Sequence, residues 1–237
     1  MLTNDDGHDA PGLAAAFDAL RPLGQVHVVA PAREQSACSH AISLYRPIHV
    51  DRIDHERFGL VNAVHGTPAD CVRLAVAELL DAKIDLVVSG INRGANTGVD
   101  TFYSGTIAGA REASILDIPA IAVSHAVRTQ VRIDWQAASP VAEQLIRQLM
   151  DESLPGRGFW SINLPAVLSP EADVHRVPMA VETVPLDFER RRHPDTGVLQ
   201  FHYGKSYWNR SVSEPSDFSV VRDGAIAVTA VPLFGRF

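Results

Sequence analysis

The sequence predicts an α/β fold, a three-layer sandwich around a mainly parallel sheet with a strand-rich hairpin extension near the carboxyl end. Three observations predict it. Apolar, β-branched runs of strand length recur at residues 26–30, 84–89, 118–124 and 159–164, nearly continuous in Val, Leu and Ile as in a sheet covered on both faces. Helical patterns alternate with these runs, and strand, helix, strand at this spacing builds parallel pairs. Beyond Pro165 the character changes, with frequent prolines, charges and aromatics.

Taken in order, the chain opens on a short apolar lead, Met1 and Leu2, that runs into Thr3-Asn4-Asp5-Asp6-Gly7. This reads as the carboxyl end of a strand turning into a loop, the place where open α/β sheets hold ligands. Adjacent carboxylates repel and lose hydration when partly buried, so a proton or a cation must lie between them, and a hard divalent ion is the natural partner. The same triplet is also an ordinary solvated turn, and at this point both readings stand. The lead is short for a buried strand of about 5 residues, which implies a strand truncated at its start or a start upstream.

Residues 11–23 carry Leu13, Ala16, Phe17 and Leu20 at helical spacing behind Pro11, and Gly24 ends that helix. The strand at 26–30 closes at Pro31 and delivers the hydroxyl-rich loop 32–40, and 42–50 alternates around Pro47 as an extended edge segment. Thr67 as N-cap and Pro68 at the first helical position start the next helix, with Val72, Leu74, Ala75, Val76, Leu79 and Leu80 as its buried stripe. Residues 84–89 form the third parallel strand, which delivers a loop with three glycines, Asn92 and Asn96. Tyr103-Ser104-Gly105-Thr106 opens the following helix; its hydroxyls, free N–H groups and dipole suit an anion as well as plain capping. The fourth strand, 118–124, a helix at 135–150 and a strand at 159–164 follow. In the extension, Arg190-Arg191-Arg192 reads as solvated arginines on a hairpin whose other arm is 199–203. Residues 218–229 return as a short helix and a strand.

With 237 residues, 46% of them hydrophobic and 21% charged, the chain is long enough for a sizeable core and ordinary in composition. A net charge of -7 excludes a nucleic-acid polymer as partner, since that binding needs basic patches. Cys38 and Cys71 have no zinc spacing and read as reduced structural thiols. No apolar run reaches the ~20 residues of a membrane span, and no signal segment opens the chain, so the expectation is a cytoplasmic protein without membrane contact.

Five pieces in one order carry a resemblance that runs nearly end to end. They are Thr3-Asn4-Asp5-Asp6-Gly7, Ala30-Pro31 with Arg33-Glu34-Gln35-Ser36, Gly66-Thr67-Pro68-Ala69-Asp70-Cys71-Val72, Val88-Ser89-Gly90-Ile91-Asn92-Arg93-Gly94 and Ser104-Gly105-Thr106. Weaker echoes are Ile162-Asn163-Leu164-Pro165 and Ser216-Asp217-Phe218. The chain resembles the stationary-phase survival protein SurE family of 5'/3'-nucleotidases. The resemblance implies one divalent metal per subunit on Asp5, Asp6, Ser36 and Asn92. An all-oxygen set of that kind suits Mg²⁺ or Mn²⁺, with Ca²⁺ possible in crystals. It also implies a Rossmann-like metal-dependent phosphatase core over 1–165, a protruding hairpin and oligomerisation region over 166–215, and a segment 216–237 returning to the core. The sequence departs from the pattern in its short first strand and short carboxyl end.

The expected activity is metal-dependent hydrolysis of nucleoside 5'- and 3'-monophosphates, a phosphoric monoester hydrolase of the 5'-nucleotidase type. Asp5 and Asp6 are the candidate catalytic carboxylates; Asn96, Ser104, Gly105 and Thr106 hold the phosphate. A broad acid phosphatase or exopolyphosphatase, and a weakly active nucleotide-binding regulator on the same fold, are the alternatives. His40, His65 and His125 lie near the site and are assigned no role. The resemblance implies a homodimer or homotetramer with exchanged carboxyl-terminal segments, and the aromatics of 185–215, poorly covered in a monomer, fit such an exchanged hairpin.

Overall fold

The computed structural model describes residues 1–152, 154, 156–169, 171–204 and 210–234. Tyr207 and Trp208 of the predicted aromatic cluster lie outside the described residues. In chain order the main elements are β1 (Leu2–Thr3), α1 (Pro11–Leu20), β2 (Val28–Pro31), β3 (Val50–His55), β4 (Gly59–Val64), α2 (Pro68–Leu74), β5 (Val87–Arg93), α3 (Gly105–Ile115), β6 (Ala120–His125), α4 (Trp135–Met150), β7 (Gly158–Leu164), β8 (Val174–Arg176), β9 (Phe188–Arg192), β10 (Leu199–Tyr203), α5 (Asp217–Arg222) and β11 (Ile226–Pro232).

The main sheet runs β3-β4-β2-β1-β5-β6-β7-β11-β8. Its six central strands, β4 to β7 in that order, pair in parallel, and β3 and β11 add antiparallel neighbours. Helices α1 and α4 pack on one face, where Leu13, Phe17, Leu145 and Ile146 meet Leu2, Val28, Val88 and Ile162. Helix α3 covers the other face with Ile107, Ala110 and Ala113 against Val87, Ala122 and Phe159, with Val72 of α2 beside it. The expected three-layer α/β sandwich is therefore the fold, and β9 and β10 form a separate two-stranded sheet with Leu199 opposite Arg192.

Four local expectations need correction. Helix α1 stops at Leu20, because Pro22 cannot continue it and disfavours a helical residue before itself. Residues 42–49 form no strand; the edge strand is β3, paired antiparallel with β4, an element the sequence reading did not place. β3 is largely charged and exposed, as edges protected from further pairing are, so it lacks a core pattern. Because β4 joins the parallel set, the predicted third and fourth parallel strands are the fourth and fifth. Strand β5 also starts later and continues through Gly90-Ile91-Asn92-Arg93, read from the sequence as loop. Finally, α2 widens into a π-turn over Ala75–Leu79, which leaves Val76 42% exposed instead of in the buried stripe.

Candidate active site

The carboxyl ends of β1, β2 and β5 and the amino end of α3 converge on one edge of the sheet. After β1, Asn4 makes the turn: its side chain donates to the Gly7 carbonyl at 3.0 Å and accepts from the Gly7 N–H at 3.2 Å. The turn reading thus holds for Asn4 and Gly7, and it presents Asp5 and Asp6 to the site. Asp5 is 4% exposed, and Thr106 donates its hydroxyl to Asp5 Oδ1. Burial pushes the Asp5 carboxyl up to about 6, against the lowering effect of Thr106, with the Asp6 charge raising it further. Asp6 is half-buried and accepts from the Arg93 N–H at 3.0 Å through Oδ2; burial and the charge of Glu34 raise its pKa.

The loop after β2 returns to the same point. Gln35 N–H donates to the Asp5 carbonyl at 2.7 Å, which ties the loop carrying Ser36 to the Asp5 backbone, and the Ser36 hydroxyl donates to Glu34 Oε1 at 2.6 Å. Further along, the Ser39 hydroxyl and N–H donate to the Phe102 and Tyr103 carbonyls at 2.6 and 2.9 Å, and His40 meets the buried Glu112 of α3 at 2.7 Å. Glu112 also accepts from Arg73 at 2.8 Å; the two partners hold its carboxyl below the usual range despite burial. From β5, Asn92 donates through Nδ2 to the Gly94 carbonyl at 2.8 Å, which leaves its amide oxygen as an acceptor, and the next residue, Arg93, donates its N–H to Asp6.

The amino end of α3 sits against Asp5. Ser104 caps α3 by accepting from the Ile107 N–H at 3.1 Å. At Gly105 an added Cβ would lie 2.8 Å from Asp5 Cβ, 2.9 Å from Cys38 Sγ and 3.0 Å from Asp5 Oδ2, so only glycine lets the helix come down on Asp5. Asn96 is 7% exposed and donates to Ser124 Oγ at 2.8 Å. All eight predicted site residues therefore fall on this edge. Ser124 and Asn163, which hold Asn96, and the pair His40 and Glu112 were missed as site residues; Asn163 carried a signal in the 162–165 motif, whereas Ser124 sits in an apolar strand with none. Of the histidines, His40 anchors the Ser36 loop, His65 pairs with exposed Asp51 at 2.7 Å, and His125 is buried under Trp135.

Two adjacent carboxylates, one of them against the amino end of a helix, repel any anion that approaches unless a cation lies between them. Among the described residues no three His, Cys, Asp or Glu side chains gather as a metal site. The fitting donors are two carboxylates with the hydroxyl of Ser36 and the amide oxygen of Asn92, a hard oxygen set suited to a divalent cation.

A family model described as Survival protein SurE matches residues 1–183. The chain belongs to the SurE family. The 5'-nucleotidase SurE of Geotalea uraniireducens (strain Rf4) is 40% identical over 236 residues, 98% of this chain and 92% of that protein. The 5'-nucleotidase SurE of Geobacter sulfurreducens (strain ATCC 51573 / DSM 12127 / PCA) is 39% identical over 240 residues, 98% and 87% of the two chains. The crystal structure of the SurE protein from Aquifex aeolicus superposes with a TM-score of 0.84 at 32% identity, covering 99% of this chain and 93% of that one. The resemblance in the motifs and the α/β fold class both hold. Among the described residues no helix is long and apolar enough to cross a membrane.

Proposed function

We propose that the protein is a 5'-nucleotidase that hydrolyses nucleoside monophosphates to nucleoside and phosphate with one divalent metal per subunit, Mg²⁺ or Mn²⁺. The observation that carries the reading is the contact between the amino end of α3 and Asp5 at Gly105. It sets an anion-binding helix end on a pair of carboxylates, an arrangement that serves a phosphate bridged by a cation. Family membership and relatives named as 5'-nucleotidases support it.

In this reading Asp5, Asp6, Ser36 and Asn92 would hold the metal, which when bound polarises a phosphate oxygen and lowers the pKa of a water. Thr106 and the Arg93 N–H hold Asp5 Oδ1 and Asp6 Oδ2 and so orient the two carboxylates, which keep lone pairs that would serve the metal or receive a proton. Ser104, Gly105 and Thr106 cradle the phosphate with the helix dipole, and Thr106 also orients Asp5. Asn96 uses one amide hydrogen on Ser124 and has the second for a phosphate oxygen. No side chain here forms a covalent phosphate adduct in this scheme; water is the nucleophile.

The subunits associate as a dimer or tetramer through the extension, where Phe201 and Tyr203 are 59% and 82% exposed. The deciding experiment is phosphate release from a panel of nucleoside 5'- and 3'-monophosphates with Mg²⁺ or Mn²⁺, then with chelator. Chelator-sensitive turnover is the expected result, and its absence with every metal from folded protein rules the reading out. Light scattering across a dilution series checks the assembly, and a monomer throughout counts against it.

A further inference from the structure

The segment 94–104 joins the proposed metal ligand Asn92 to the anion cradle at Ser104, and it carries Asn96. Its later part is a short 3-10 helix over Gly98–Phe102 opened by a capping box between Thr97 and Asp100, whereas residues 95–97 have no helix or strand to fix them. Two residues from distant parts of the chain hold it from opposite sides. From β7, Asn163 Oδ1 accepts from the Asn96 N–H at 2.8 Å, and Asn163 Nδ2 donates to the Asn96 carbonyl at 3.1 Å. From the start of α5, Asp217 Oδ2 accepts from the Gly98 N–H at 2.8 Å while its Oδ1 accepts from the Ala180 N–H at 2.7 Å. Asn163 and Asp217 are each 1% exposed.

The approach is close on the Asp217 side. Gly98 has φ +55, and a Cβ there would lie 2.6 Å from the Ala180 carbonyl oxygen. Arg210, 3% exposed, reaches Thr97 Oγ1 at 3.0 Å and Asp100 Oδ2 at 3.4 Å, with its guanidinium 4.0 Å from the Phe218 ring centre. A buried carboxylate and a buried guanidinium are costly unless paired and hydrogen-bonded, and both are anchored on this one segment. Neither residue contacts the acids or the cradle, so their effect reaches the site through the backbone of residues 96–98.

We propose that Asn163 and Asp217 are positioning residues for the hydrolysis: they fix the Asn96–Gly98 backbone from two sides and so couple the carboxyl-terminal part of the chain to the phosphate subsite. The proposal rests on the assignment of Asn96 to the phosphate. Asp217→Asn keeps the side-chain shape but turns one acceptor into a donor facing a backbone N–H, which lets the segment drift and carries Asn96 off its position.

The test measures kcat and KM for a nucleoside 5'-monophosphate at saturating Mn²⁺, inhibition by inorganic phosphate, Mn²⁺ affinity and the melting temperature, for Asp217→Asn, Asn96→Ala and the double variant. Asp217→Asn is expected to lower kcat/KM on the order of 10-fold to 100-fold, to weaken phosphate inhibition in parallel, and to leave Mn²⁺ affinity unchanged. In the Asn96→Ala background the same substitution changes kcat/KM by less than about twofold, because the two act through one contact. Losses that multiply in the double variant, or phosphate inhibition unchanged by Asp217→Asn, overturn the proposal. If Asp217→Asn melts below the assay temperature, Asn163→Ser enters the same cycle against Asn96→Ala with the same expected outcomes. A wild-type protein without chelator-sensitive turnover overturns the nucleotidase reading and this role with it, whereas an active wild type with multiplying losses overturns the brace alone.

Discussion

The two edges of the main sheet differ in what they do with depth. At the carboxyl edge the buried groups are polar and hydrogen-bonded: Thr106 on Asp5, Asn96 on Ser124 and Asn163, and Ser104 as the cap of α3. At the amino edge the more pronounced clefts are lined by Leu86, Ile118, Pro119, Leu149 and Trp160, and by Leu20, Val26 and Ile84, and charges there sit on the rim as exposed ion pairs such as Arg157 with Asp117. None of the predicted site residues lines either cleft. Concavity alone therefore does not mark the chemistry in this protein; strand direction does, because all central strands release their loops at one edge and helix α3 brings its positive end there.

The sharpest way to break this comparison is Asp5→Asn. It removes the proposed metal ligand and proton acceptor at the polar edge, and kcat/KM is expected to fall by more than about 100-fold with a matching loss of Mn²⁺ affinity, measured by calorimetry. Survival of both would place the metal elsewhere. Next in size is Gly105→Ala. The added methyl must displace Asp5 or Cys38, so a stability loss of about 1–3 kcal/mol in urea unfolding is expected, together with most of the activity. Full activity would mean that the helix end is not held against the acids.

A pH effect comes third. Asp5 has its folded pKa raised to about 6 from 3.8, so between those values the metal-free folded state binds more protons than the unfolded state. Metal-free stability from this group thus falls as pH rises through that window, by at most about 3 kcal/mol in total. Mn²⁺ reverses the preference, so the metal-induced rise in melting temperature is largest above pH 6, shrinks as pH falls towards 4, and proton release accompanies binding at pH 5 to 6. A metal-induced shift independent of pH would contradict the buried state of Asp5. The smallest effect belongs to the other edge: Asp117→Asn breaks an exposed ion pair beside one of these clefts and is expected to leave turnover unchanged and the melting temperature nearly so. A loss of activity there would undo the distinction between the edges.

Most of the candidate site was legible because its residues announce themselves by local rules. Asn4 and Gly7 make a turn that needs only short-range hydrogen bonds, and Thr67 and Pro68 start α2 with a capping box to Asp70. Ser104 caps α3 in the same way. What escaped were residues whose meaning is set by partners far along the chain. Ser124 sits in an apolar strand, and its role follows from Asn96, 28 residues away. His40 anchors its loop on Glu112, 72 residues away, and no spacing encodes that. β3 escaped because an edge strand is chosen by its neighbour, not by an apolar pattern.

By itself the sequence determined the fold class, the strand ends that bear the acids, the helix ends that bear the hydroxyls, and the family. Periodicity, capping and turn chemistry act over a few residues and need no distant partner. Only the tertiary structure decided that Gly105 lies on Asp5, that Thr106 orients that carboxylate, and that Asn163 and Asp217 clamp the Asn96 segment. Those contacts span 67 to 119 residues of chain, and they exist because packing the helices on a twisted parallel sheet brings these distant polar groups together where they pair.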